Sequence, residues 1–186
     1  PLLLSSAASD VYKRQLRDNS LRVKTYLLFK PPFMSEGDAL EHTISWVSEV
    51  SKISDEVSIN PMNIQRGTIV DRLFRNREYR PPWLWSLVEM IVRTHDDVSK
   101  TDCRVIVHPT AGGKARGSHN CGSCDSEVVA AIERYSVSGN LGEFNGLECE
   151  CKKVWLSEIQ NDSALPTPMG SGIHRRGNAL DRLRAP

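Results

Sequence analysis

Hydrophobic residues recur along this chain in two rhythms, and the change from one to the other marks out its elements. Arg22–Phe29 reads as a strand: a short run rich in aromatic and aliphatic residues stops at Lys30-Pro31-Pro32, where proline cannot donate to a ladder. Spacings of four and three then take over. Ala39, Thr43, Trp46, Val50 and Ile53, widened by Leu40, Ile44 and Val47, make the buried stripe of a helix. Ser35 is placed to cap that helix, with Asp38 near its positive end. Glu56–Asn60 is a second strand, stopped by Pro61, and Gly67-Thr68 introduces one or two helical turns over Ile69–Phe74. Pro81-Pro82 opens a helix over Trp83–Thr94 whose inner face carries Leu84, Leu87, Val88 and Ile91. Cys103–Val107 is a third strand. Asp125 is placed to cap a helix bearing Val128, Val129, Ile132 and Tyr135, and a last helix follows Cys151 with Trp155 and Ile159 facing inward.

Strands alternating with helices predict an α/β fold with parallel strands. A parallel strand is normally buried on both faces, so three strands make an incomplete sheet that needs neighbours. The ends read differently from the middle. Pro1–Gln15 resembles translated adapter sequence and leads into nothing periodic, while Ser163–Pro186 mixes Pro, Gly and Arg without a hydrophobic period and reads as a disordered tail. The expected organisation is therefore residues 16–110 as an α/β portion, 111–162 as a cysteine-containing extension, and both ends outside the fold.

Composition narrows the function classes. Among 186 residues, 24 Lys+Arg stand against 23 Asp+Glu, a net charge of +1, so nucleic-acid binding would need a local basic patch. The apolar runs around Tyr26–Phe29 and Trp83–Val92 fall far short of the ~20 residues of a membrane span. No membrane partner and a cytoplasmic location are expected.

Four of the five cysteines gather near the end, as Cys121-Gly-Ser-Cys124 and Cys149-Glu-Cys151. A tight glycine turn directs both sulfurs of C-x-x-C to one point, and four thiolates satisfy tetrahedral zinc with nothing left over. The pattern points to a structural zinc on Cys121, Cys124, Cys149 and Cys151. Four reduced thiols near the surface, or a redox pair, are the alternatives. His119 is a candidate to replace one cysteine, or a turn histidine bonded to the backbone, and Cys103 reads as an ordinary buried thiol.

The loop Ala111-Gly-Gly-Lys-Ala-Arg-Gly117 follows the third strand. Its glycines would let backbone N–H groups approach an anion, with Lys114 and Arg116 adding charge, although it is not a P-loop. Lys30 and Asn60 end the other strands, so Lys30, Asn60, Gly112 and Gly113 would share the rim where α/β proteins bind cofactors. Arg66, Arg72, Arg75, Arg77 and Arg80 are interleaved with Tyr79, Trp83 and Trp85, the mixture an RNA surface requires; Arg66, Arg72 and Arg80 are the candidate contacts. Against this, Asp71 and Glu78 are available to pair with the arginines, and either tryptophan can be core.

Four segments carry a family likeness: Lys30-Pro-Pro-Phe-Met-Ser-Glu-Gly-Asp-Ala-Leu40, Ser58-Ile-Asn-Pro-Met-Asn-Ile-Gln-Arg-Gly-Thr68, Tyr79-Arg-Pro-Pro-Trp-Leu-Trp-Ser86 and His119-Asn-Cys-Gly-Ser-Cys-Asp125. In this order they resemble the C-terminal half of the archaeal radical SAM proteins of archaeosine biosynthesis, relatives of the elongator catalytic subunit. The resemblance covers about Lys24 to Glu158. It implies the C-terminal portion of a partial (β/α)6 TIM-like barrel with a small helical extension. It also implies radical cleavage of a lysine adduct on the 7-deazaguanine base at position 15 of tRNA, with S-adenosylmethionine and a [4Fe–4S] cluster as cofactors. Its implied partners are tRNA and an enzyme that attaches the lysine. The C-x-x-x-C-x-x-C triplet that holds the cluster in radical SAM enzymes does not occur here, so this piece is expected to be inactive alone. Two other readings remain: a non-catalytic RNA-binding module with a four-cysteine metal site, and a different radical SAM tRNA-modifying enzyme with another substrate, such as a methylthiotransferase or an elongator-like acetyltransferase.

Overall fold

The computed structural model describes Val11, Gln15, Leu16, Asp18, Asn19 and residues 21–164, with side chains described as far as residue 161. The expectations for Pro1–Gln15 and Ser163–Pro186 lie almost wholly outside the described residues. Three strands, β1 (Lys24–Phe29), β2 (Glu56–Pro61) and β3 (Arg104–Val107), form one sheet in the order β1-β2-β3. Both pairings are parallel, and the register sets Leu27, Ile59 and Val107 in a row across the sheet. The helices are α1 (Glu36–Val50), α2 (Ile69–Arg75), α3 (Leu84–Val98), α4 (Asp125–Ser138) and α5 (Cys151–Ala164), with a 3-10 turn at Leu141–Phe144.

Alternation along the strands decides which face is covered. Phe29, Val57, Ile59, Val105 and Val107 enter the core with Leu40 and Val47 of α1, Leu84, Leu87 and Ile91 of α3, Ile132 of α4 and Trp155 of α5. That cluster runs without a break from the strands into the cysteine-bearing helix. Each large side chain in it gains about 1.5–3 kcal/mol by leaving water. On the other face β1 is bare, Tyr26 being 64% and Leu28 52% exposed, whereas Ser58 of β2 and Ile106 of β3 are buried. Among the described residues β1 has no neighbour on its outer edge.

Several local expectations change. Trp46 lies at the rim of the α1 stripe, 41% exposed, because the helix ends at Val50 and its buried arc centres on Leu40, Thr43 and Val47. Asp125 is the first residue of α4 and not its cap; Cys124 holds the cap position. The Asp125 carboxylate turns back to accept the backbone N–H groups of Asn120 and Gly122, at 3.1 and 3.0 Å. Ser35 does cap α1, its hydroxyl accepting from Asp38 N at 3.1 Å.

Candidate metal centre and adjoining cavity

The C-x-x-C turn is built by its glycine and by Asp125. Gly122 takes φ +94°, a conformation costly for any residue with a Cβ, and Asp125 Oδ1 gathers the loop onto the start of α4. Cys149 and Cys151 arrive from the other side, where α5 begins. The four sulfurs all lie within 4.8 Å of one another. Cys121 Sγ is 4.0 Å from Cys124 Sγ and 3.7 Å from Cys149 Sγ, and Cys124 Sγ is 3.6 Å from Cys151 Sγ. A tetrahedral zinc with Zn–S near 2.3 Å separates its sulfurs by about 3.8 Å, so the quartet can hold a single ion of that kind. A four-iron cluster spreads its thiolates over several metal atoms and needs a wider cage.

Two side chains address the sulfurs from behind. Trp85 Nε1 donates to Cys151 Sγ at 3.2 Å and Asn120 Nδ2 to Cys124 Sγ at 3.4 Å, the outer donors that steady thiolate ligands. The backbone N–H groups of Ser123 and Cys124 hold the Cys121 thiol down to about 6, whereas burial pushes Cys124 and Cys151 up. Crowded thiols, two of them buried here, resist ionising together, and a bound divalent cation removes that penalty. His119 stands apart from the quartet: its Nδ1 lies 2.8 Å from Gly117 O, the turn-histidine arrangement.

Beyond Trp85 the network continues to a cavity of about 540 Å³, lined by Lys30, Glu36, Tyr79, Arg80 and His119 among others. Lys30 and Glu36 are both buried, with Nζ 2.5 Å from Oε2. The other oxygen of Glu36 accepts from Trp83 N at 2.9 Å and Ser86 Oγ at 2.5 Å. Trp155 Nε1 of α5 in turn donates to Ser86 Oγ at 2.8 Å. Sequence reasoning missed Glu36, Ser86 and Trp155 as a polar unit. The available signal was a glutamate and a serine on the inward stripes of two helices.

Of the four rim residues, only Lys30 enters this cavity; Asn60, Gly112 and Gly113 are not among its walls. The Asn60 side chain bonds back to Ser58 O at 3.4 Å. A Cβ on Gly112 would meet Val129 Cγ2 at 2.8 Å and Pro109 O at 2.9 Å, so its bareness serves loop packing. Arg116 is held by Asp71 at 2.8 Å, with its carbonyl accepting Ile64 N. The arginine cluster divides in the same way. Arg66 and Arg72 are exposed, but Arg80 lies over the Trp83 ring at 3.8 Å and donates to Pro81 O and His119 O. Tyr79, Trp83 and Trp85 are buried, which removes them as stacking platforms for bases.

Comparison with known proteins finds a likeness. It is to archaeosine synthase subunit beta. Over 148 residues the chain is 35% identical to the protein of that name from Methanosarcina acetivorans, covering 79% of this chain and 42% of the relative. The namesake from Thermococcus kodakarensis is 37% identical over 141 residues, 75% of this chain and 43% of the relative. An uncharacterized protein of Methanocaldococcus jannaschii is 28% identical over 159 residues, 83% of this chain and 42% of the relative. The chain thus spans 42% to 43% of the length of these curated relatives. No family model and no solved structure matches. Among the described residues no helix is long and apolar enough to cross a membrane.

Proposed function

We propose that this chain is part of a tRNA-modifying enzyme of archaeosine synthesis, corresponding to the C-terminal portion of a radical SAM barrel and its cysteine-containing extension. The observation that carries the reading is the 35% identity over 148 residues to archaeosine synthase subunit beta. The fold supports it in two ways. Among the described residues all the strands are parallel, and β1 leaves an unpaired edge with Tyr26 and Leu28 exposed beside it, as a strand that continues into a larger sheet would. In this reading the reaction is the conversion of a lysine adduct of the 7-deazaguanine base at tRNA position 15 to archaeosine, in the cytoplasm. In this reading the iron–sulfur cluster that starts radical SAM chemistry would be held by residues outside this chain, in which no C-x-x-x-C-x-x-C triplet occurs.

Residues 16–110 would then form barrel wall and 111–162 the extension. Within them Lys30 serves the ligand cavity, Asn60, Gly112 and Gly113 shape the strand-end rim, and Cys121, Cys124, Cys149 and Cys151 hold a structural zinc. Arg66 and Arg72 meet tRNA phosphates, and Arg80 reaches the RNA only through the loop it holds. The partners are tRNA and the enzyme that attaches lysine. The test is a chimaera in which this chain replaces the matching segment of the Methanosarcina relative, expressed in a strain lacking that gene. Archaeosine in hydrolysed tRNA supports the reading; a stably expressed chimaera that leaves only the unconverted base overturns it.

A further inference from the structure

We propose that the cavity beside Lys30 is an oxyanion-binding site, taking a carboxylate or phosphate group on Lys30 Nζ, and that helix α5 holds its floor in place. The site stands on its own geometry, whether or not the archaeosine reading does. An ammonium group has three N–H donors. Among the described residues one acceptor, Glu36 Oε2, bonds Lys30 Nζ, although the side chain is only 6% exposed. Glu36 divides its charge among Lys30, Trp83 N and Ser86 Oγ, so it does not saturate the ammonium. Lys30, whose Nζ also lies 5.8 Å from the centre of the Tyr79 ring, is part of the wall of a cavity large enough for a small ligand, where its remaining hydrogen-bonding capacity is available.

The surroundings favour an acceptor ligand. Arg77 and Arg80 line the same cavity, and His119, with Nδ1 committed to Gly117 O, leaves Nε2 free there among the described residues. Glu78 and Glu158 also border it, and Glu158 already accepts Trp83 Nε1 at 2.8 Å. The open donors at the floor, and not net charge, therefore select the ligand. Lys30 itself takes φ +53°, with its carbonyl held by the Tyr79 hydroxyl at 2.7 Å. Left-handed backbone at a residue with a Cβ is costly, and it persists where the surroundings fix a side chain in a particular place.

Helix α5 does that fixing. Cys151, Trp155 and Glu158 are spaced by four and three, on one helical face. The first belongs to the sulfur quartet, the second bonds Ser86 and thereby Glu36, and the third receives Trp83. An ion on the sulfurs anchors the first turn of the helix whose next two turns build the floor and wall of the cavity.

The experiment uses the zinc-loaded full chain and reads reductive methylation of Lys30 by peptide mass spectrometry, with surface Lys24 as internal reference. Inorganic phosphate and acetate are the two probes, each against chloride at equal ionic strength. Whichever oxyanion fits should slow Lys30 about threefold at twice its dissociation constant and leave Lys24 unchanged. The same probe should raise the thermal midpoint of the native chain but not of Lys30→Met. Trp155→Phe should keep its zinc, label faster at Lys30 and lose the protection. Equal Lys30 rates and midpoints in phosphate, acetate and chloride would overturn the site. A Trp155→Phe chain protected like the native one would overturn the role of α5.

Discussion

The indole N–H of Trp85 lies 3.2 Å from the sulfur of Cys151, which joins the start of α3 to the start of α5 through one bond to a candidate metal ligand. Trp85 is 1% exposed, so the bond forms in a dry core where it is electrostatically strong. Protein prepared anaerobically should carry about one zinc per chain, as a closed four-thiolate site demands. Cys151→Ser should abolish uptake and lower the thermal midpoint by about 10 °C, read by elemental analysis and calorimetry. Trp85→Phe should retain the metal but bind it about 10–100-fold more weakly in chelator competition.

Removing Glu36 leaves a buried ammonium without its carboxylate. Glu36→Gln should therefore cost about 3–5 kcal/mol in urea denaturation. Combining Glu36→Leu with Lys30→Met removes both charges and should be milder than Glu36→Leu alone. A double variant that loses the full sum of the two single effects would speak against the pair.

Asp71 is the acid-sensitive latch. The Gly67 backbone N–H, with Arg116 and Arg75, holds its carboxyl down to about 2. A depressed folded value means that the unfolded chain takes up the proton first. The contribution is complete above pH 3.8 and is lost as pH falls toward about 2. Asp71→Asn should be less stable than the native chain at pH 6, and the difference should shrink across that acid window in pH-resolved denaturation curves.

Exposed and half-buried arginines should separate in RNA binding. Arg66→Ala and Arg72→Ala should each weaken tRNA binding and reduce the salt slope by up to about one unit, measured by filter binding over a salt series. Arg80→Ala should instead lower stability, because its guanidinium holds the Pro81 and His119 carbonyls.

The strand and helix pattern was legible because it is local. Prolines follow the end of β1 at Phe29, Pro61 is itself the last residue of β2 rather than a stop before it, and the inward stripes of α1, α3 and α4 repeat at the helical period whatever they pack against. The C-x-x-C turn was legible for the same reason, since a glycine between two cysteines fixes where their sulfurs point. The rim was less so. Strand ends come to one side of a parallel sheet, but whether Asn60 or Gly112 meets the cavity depends on loop paths that no short-range pattern encodes.

What the sequence determined by itself was the alternation of strands and helices, the cap at Ser35 and the identity of the four metal-ligand candidates, all set by patterns within a few residues. Tertiary structure alone decided that two cysteine pairs 25 or more residues apart converge, and that Lys30 finds Glu36. It also decided that Arg80 serves a loop and that Trp155 connects the sulfurs to the cavity. These pairings depend on how helices close over the sheet, and burial then makes each polar group find a partner or become costly.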